Sequence, residues 1–111
     1  MPAALNNFRS TLCNLTTSTS DVYTPPLGYA TVVLLAQVSN NGAGTIQVSA
    51  GVWRAGVYTS LIHNGSVPAN DSYSVLTGRL ILQYGDKLQF SSSDNTSGQL
   101  VLSYLETLVT G

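Results

Sequence analysis

The sequence contains very little charge. Four Lys or Arg and five Asp or Glu make up 8% of its 111 residues, whereas about 25% of the residues in a typical soluble domain are charged. So few basic residues cannot form the cluster of Lys and Arg that contacts a nucleic-acid backbone. We therefore expect no nucleic-acid partner. The 14 Ser, 12 Thr and 8 Asn residues predict instead a surface rich in hydroxyl and amide groups.

Cysteine and histidine occur once each, as Cys13 and His63. One cysteine forms no internal disulfide, and a zinc site would need it beside His63 and carboxylates. A Ser-His-Asp triad would have to use His63, and no serine lies in a Gly-x-Ser-x-Gly turn. We therefore predict no enzymatic activity, no metal and no cofactor, with Cys13 in a half-buried strand and His63 facing outward at a strand end. A calcium site of loop carboxylates with Asn64, Asn70 or Asn95 remains an alternative.

Long hydrophobic runs are also missing. The longest, at residues 30–36, is interrupted by Thr31 and is far shorter than the roughly 20 residues of a membrane-spanning helix. The N-terminus lacks the basic start and the apolar stretch of about 7–15 residues that form a secretory signal. We expect no membrane partner and synthesis in a cytoplasm.

The sequence shows no helical periodicity. Apolar and polar residues alternate instead. Residues 46–52 and 100–106 place apolar side chains at every second position, which is typical of a strand with one buried face. Turn residues separate roughly eight or nine such runs at intervals of about 10 residues. We predict an all-β fold, an antiparallel, jelly-roll-like β-sandwich of about eight strands with little or no helix.

The runs also suggest how the chain is organised. We expect an N-terminal arm at residues 1–20 and one β-sandwich domain at residues 21–111. The arm would contain an edge strand that starts near residue 11. The run at residues 29–39 is apolar on both faces, which predicts a central strand or a strand at a subunit contact. The other expected strands lie at residues 22–24, 45–53, 57–63, 72–76, 79–83, 87–90 and 99–108.

Two aromatic residues form a candidate surface patch. Trp53 ends one predicted strand, and Tyr58 lies across the predicted hairpin. Such side chains bury a large area and keep a polar tip free, which suits sugar stacking or a protein interface. The alternative is that Trp53 closes one end of the core.

Four segments stand out beyond the alternation of the strands. They are the opening VYTPP at residues 22–26, the loop VPAND at 67–71, the strand pair VLTGRLIL at 75–82 and the Gly-Asp turn at 85–86. Together they resemble small β-sandwich virion proteins of tailed bacteriophages, particularly those of cyanobacterial and marine hosts. The similarity covers about residues 20–108 and departs from the pattern at Asn70, where glycine is expected. Asparagine also tolerates the left-handed backbone.

The resemblance implies a non-enzymatic structural protein of the virion, made in the cytoplasm of a bacterial host. The leading expectation is a homotrimeric capsid decoration (cement) protein that binds and stabilises the phage major capsid protein shell. Leu5, Phe8 and Leu12 on the arm are the candidate contacts with the capsid or another virion protein. The alternatives are a neck, tail or fibre accessory, or a carbohydrate-binding receptor module that uses Trp53 and Tyr58.

Overall fold

Strands form where apolar and polar residues alternate, and they assemble into two antiparallel sheets. The structure, a computed structural model, describes residues 6–76 and 78–108. Within these residues it contains no helix and nine strands, which are β1 (Asn6–Asn14), β2 (Ser20–Tyr23), β3 (Tyr29–Asn40), β4 (Ile46–Arg54), β5 (Val57–Val67), β6 (Ser72–Ser74), β7 (Leu80–Leu82), β8 (Lys87–Ser92) and β9 (Gly98–Leu108).

The strand order is that of a jelly roll. Sheet A has the order β1-β9-β3-β6, with β7 also paired to β3, and sheet B has the order β2-β8-β4-β5. The first strand pairs with the last, β2 with β8, β3 with β6 and β7, and β4 with β5. A long hairpin folded across two sheets gives this nested pairing. The predicted all-β sandwich is confirmed; the ninth strand arises because β6 and β7 occupy one place beside β3.

The core lies between the inner faces of the two sheets. The predicted alternation is confirmed in β4 and β9, where the side chains expected inside are buried, apart from the half-buried Val52. The largest fully buried apolar side chains are Phe90, Leu82, Leu88, Leu100, Leu102, Val33, Val38, Val48 and Val67. The run at residues 29–39 is β3, which lies centrally in sheet A between β9 and the pair β6 and β7.

Two strand boundaries differ from the sequence prediction. β5 does not end at His63 but continues to Val67, because its register with β4 shifts around Ala50 and a bulge absorbs Asn64, which has a φ of 52°. Within the expected arm, β1 runs from Asn6 to Asn14 and pairs with β9 at all nine residues, whereas the sequence suggested a strand starting near residue 11.

Candidate functional site

The outer face of sheet A carries a row of apolar side chains. Cross-strand register places Phe8 opposite Leu105, Leu105 opposite Val32, and Val32 opposite Ile81. Directly opposed residues project from the same side of a sheet. Phe8 and Ile81 are 78% and 60% exposed, while Leu105 and Val32 between them are half-buried. The row therefore crosses β1, β9, β3 and β7 on a surface that no other element in the described residues covers.

A second group of apolar side chains extends this surface. Leu12, 72% exposed, lies opposite Val101. A bulge in β3 adds Leu34 beside Leu35, opposite Ser103, and Leu34 shares a shallow depression with Phe8. We call the surface the apolar face; it comprises Phe8, Leu12, Val32, Leu34, Leu35, Ile81, Val101 and Leu105. Among the described strand residues, none that projects from this face is charged.

An ion pair and a tyrosine hydroxyl attach β1 to the rest of the sandwich. Arg9 Nε donates a hydrogen bond to Glu106 Oε1 at 2.9 Å, and Tyr23 Oη donates one to Glu106 Oε2 at 2.6 Å. Glu106 is buried, and the rings of Tyr23 and Tyr104 are 4.3 Å apart. Burial is the main cause that raises the pKa of Tyr23, and the bond to Glu106 adds to it. These contacts connect β1, β9 and β2, so they attach the strand that carries Phe8 to both sheets.

The outer face of sheet B is different in character. Its outward positions carry hydroxyl and amide groups with an aromatic pair at one end, and we call it the polar face. Trp53 lies directly opposite Tyr58 on one side and Lys87 on the other. The residues that project outward there are Asp21, Gln47, Ser49, Gly51, Trp53, Tyr58, Ser60, Ser66, Lys87, Gln89 and Ser91.

The two residues of the predicted aromatic patch lie side by side but differ in their exposure to solvent. Trp53 is half-buried, and Lys87 Nζ lies 4.8 Å from the centre of its ring, so a cation covers the indole. Tyr58 is 45% exposed, and the tip of its ring occupies the space that a side chain at Gly51 would need. Burial raises the pKa of Tyr58. Of the two rings, that of Tyr58 is therefore the one that a ligand can reach.

A groove on the polar face extends away from Tyr58. Its volume is about 520 Å³, and its lining residues are Thr19, Ser49, Tyr58, His63, Asn64, Gln89 and Ser91. The β5 bulge forms one wall: Asn64 N–H donates to Ser49 Oγ at 2.9 Å, and Ser49 Oγ donates to Asn64 Oδ1 at 3.3 Å. On the opposite side, Gln89 Nε2 donates to Asp21 Oδ1 at 2.7 Å. These bonds hold the amide groups in place around the groove.

Asp86 and Asp94 serve structural roles. Arg54 Nε and Nη2 donate to the two carboxylate oxygens of Asp86 at 2.7 and 2.6 Å, and the Gln83 N–H donates to Oδ2 at 2.7 Å. The Arg54 bonds, supported by Gln83, lower the pKa of Asp86. Asp94 likewise has a lowered pKa, because it accepts a hydrogen bond from Ser97. Both carboxylates are thereby held in turns.

The residues considered for chemistry lie apart. Cys13 is half-buried, with its pKa raised by burial, and His63 is exposed, with Nε2 3.2 Å from the Asn64 amide. In residues 6–76 and 78–108, no three His, Cys, Asp or Glu side chains are placed to hold one metal ion. Across the same part of the chain, no helix has the length and apolar character of a membrane span.

Sequence reasoning found part of each surface. Phe8 and Leu12 project from the same face, whereas Leu5 lies outside the described residues. It missed Ile81, Val101 and Leu105, although each lies beside at least one buried apolar or aromatic residue on its strand and is itself apolar. It also missed Gln89 as a groove residue, and no local pattern marks that position.

The fold and its outer faces define the chain as a small jelly-roll β-sandwich protein. No known family model matches the sequence, and no curated protein matches it either. Among solved structures, it is similar to the nucleoplasmin-like N-terminal domain of Drosophila FKBP39, with a TM-score of 0.54 and 12% identity over 100% of this chain and 99% of that one. Identity this low shows a common fold and carries no function with it.

Proposed function

We propose that the chain is a non-enzymatic structural protein of a phage virion, and specifically a decoration protein that binds the major capsid protein as a homotrimer. The apolar face is the observation that carries this proposal. The resemblance at residues 22–26, 67–71, 75–82 and 85–86 supports the choice of a phage virion. The apolar face would lie against the capsid, and the polar face would remain in water.

The extent of the apolar face suits a protein partner. It crosses β1, β9 and β3, which are nine to twelve residues long, and the three-residue β7. Removing apolar surface from water contributes about 25 cal/mol per Å². Contiguous apolar patches of more than about a few hundred Å² mark interaction sites on soluble proteins.

Scarcity of charge also suits a repeated assembly. Many copies on one shell lie side by side, and like charges would repel one another across such contacts. A trimer that engages several capsid subunits turns each later contact into an intramolecular one, so modest single contacts give stable attachment. A homotrimer predicts a mass of about 35 kDa in solution, three times the 11.7 kDa of the chain, which light scattering would measure.

The test is co-sedimentation with heads of the phage that encodes the chain. Leu12→Asp places a charge on the apolar face, and Gln47→Asp places the same charge on the polar face as a matched control. Leu12→Asp should weaken head binding at least tenfold, because a carboxylate would have to lose its water, while Gln47→Asp should bind as the unchanged chain does. Equal binding of both variants would exclude the apolar face as the contact.

The same co-sedimentation is repeated with purified tails. A neck or tail accessory would bind tails through the same face and would not sediment with isolated heads. Binding to tails alone would therefore overturn the decoration role while keeping the structural one.

A further inference from the structure

The groove on the polar face is a second surface, independent of the apolar face. It lies on the outside of sheet B, whereas the apolar face lies on the outside of sheet A, with the whole core between them. Its volume of about 520 Å³ falls within the roughly 300–1,000 Å³ of small-molecule sites. A ligand there would not compete with a partner on the apolar face.

The groove offers hydrogen-bond groups that are already oriented. Asn64 sits in a bulge with a positive φ, a device that redirects side chains and recurs beside functional sites. Its amide is held by Ser49, and the Gln89 amide is held by Asp21. An amide both donates and accepts, and a hydroxyl such as that of Ser91 does the same. Paired donors and acceptors of this kind match the hydroxyl groups of a polyol.

One end of the groove supplies an apolar contact. Tyr58 lies against Gly51, so its ring position is restrained by the backbone beneath it, and part of the ring remains exposed. Aromatic rings present a large rigid area at low entropic cost, and the C–H faces of a sugar ring are apolar enough to pack on them. Trp53, covered by Lys87, lies opposite Tyr58 on the neighbouring strand, so Tyr58 is the aromatic residue that lines the groove.

The charge of the groove selects against ionic ligands. None of its described lining residues is a carboxylate, a lysine or an arginine. Asp21, at its rim, already accepts a hydrogen bond from Gln89 and faces Lys87 Nζ at 3.9 Å. An anionic or cationic ligand would lose its water without gaining a partner of opposite charge. A neutral ligand with many hydroxyl groups meets no such penalty.

We propose that this groove binds a neutral saccharide, which packs on Tyr58 and hydrogen-bonds to the amides of Asn64 and Gln89. On a virion, the groove would face outward and hold the particle at a glycan-coated surface. A shallow site of this kind would bind on the order of 1 mM per chain, and many copies would strengthen the attachment through avidity.

The test titrates the intact chain with neutral oligosaccharides of glucose, galactose and N-acetylglucosamine, using nuclear magnetic resonance shifts of the amides. Sulfated and sialylated oligosaccharides serve as charged comparisons. We expect at least one neutral oligosaccharide to shift the amides of Tyr58, Asn64 and Gln89. No shift with any neutral probe at about 10 mM, or shifts with charged probes alone, would overturn the proposal.

Two variants locate the site without disturbing the fold. Asn64→Gly keeps the positive φ that glycine adopts freely and removes the amide, and Gln89→Ala removes the second amide. Each should weaken saccharide binding at least fivefold. Gln99→Ala, the same change on the outer face of sheet A, should leave it unchanged. Unchanged saccharide binding by both groove variants would show that the saccharide binds elsewhere. Neither variant should alter capsid binding, for which Leu12 is the test residue.

Discussion

The two outer faces of the sandwich differ in their content of large apolar side chains, although both are built from alternating strands of the same chain. Sheet A presents Phe8, Leu12 and Ile81 to water, with half-buried aliphatic side chains between them. Sheet B presents serines, glutamines and one aromatic pair. A β-sandwich needs apolar residues only on its inner faces, so the fold does not require the apolar face of sheet A. This excess apolar surface is the basis of the proposed capsid contact.

Converting the face of sheet A into one like that of sheet B should have the largest effect. The combined variant Phe8→Ser, Leu12→Thr, Ile81→Thr and Val101→Thr keeps strand-compatible residues and replaces four of the eight side chains of the apolar face. We expect head binding to fall more than about hundredfold, since an interface depends on a few central apolar anchors. Co-sedimentation measures the loss, and saccharide binding on sheet B should stay unchanged. A matching loss of saccharide binding would mean that the two faces are not independent.

The turn that joins the two sheets should show the next largest effect. Asp86 lies between β7 of sheet A and β8 of sheet B and binds Arg54 and the Gln83 N–H. Asp86→Ala leaves these donors without their acceptor and should lower the free energy of unfolding by about 2–3 kcal/mol, as measured by urea denaturation. A loss below about 0.5 kcal/mol would show that the turn does not need its carboxylate.

The same carboxylate predicts a dependence on pH. The pKa of Asp86 is lower in the folded chain than in the unfolded one, so the ionised form favours folding above the unfolded pKa of about 3.9. That stabilisation is lost as pH falls through the folded pKa. Asp86→Asn should therefore show a shallower loss of stability below about pH 4 than the unchanged chain. Identical acid limbs in the two unfolding curves would contradict the assignment.

Loosening β1, the edge strand of sheet A, should have a smaller effect on stability, and the effect should be confined to that sheet. Glu106→Gln removes the ion pair with Arg9 and should cost about 1–2 kcal/mol. Hydrogen exchange should speed up at the amides of β1, which carry Phe8 and Leu12, and remain slow in β4 of sheet B. Uniform acceleration across both sheets would indicate that Glu106 supports the whole sandwich instead.

The smallest effect should lie on the polar face. Lys87→Gln removes the cation over Trp53 and should change stability by less than about 1 kcal/mol, since such contacts are weak at exposed sites. Indole fluorescence should shift as solvent reaches the ring. Unchanged fluorescence would mean that Lys87 does not cover Trp53 in solution.

Much of the fold could be predicted from the sequence, because alternation and turn residues are local signals. Residues 46–52 and 100–106 identified two strands and their buried sides. The length of β5 could not be predicted, since the bulge at Asn64 depends on Ser49 of the facing strand. The start of β1 was missed because Asn6 and Asn7 resemble loop residues until β9 pairs with them.

The candidate surfaces were less predictable than the strands. Phe8 and Leu12 stood out as apolar residues near the N-terminus, but nothing local associates Phe8 with Ile81. Trp53 and Tyr58 were recognised as neighbours because a short hairpin joins them. Lys87, which covers Trp53, and Gln89, which lines the groove, come from a distant strand. Register between strands that are far apart in sequence determines these contacts.

The amino-acid sequence by itself determined the strands, the near absence of charge and the scarcity of groups for catalysis, because composition and periodicity are properties of short segments. Only the tertiary structure decided which side enters the core where a strand is apolar on both faces. In β3, Val32 and Val33 are both apolar, and the pairing of β3 with β7 and β9 buries Val33 in the core and leaves Val32 half-buried on the outer face. Burial on such a strand is a property of the assembled layers, so its own sequence pattern does not contain it.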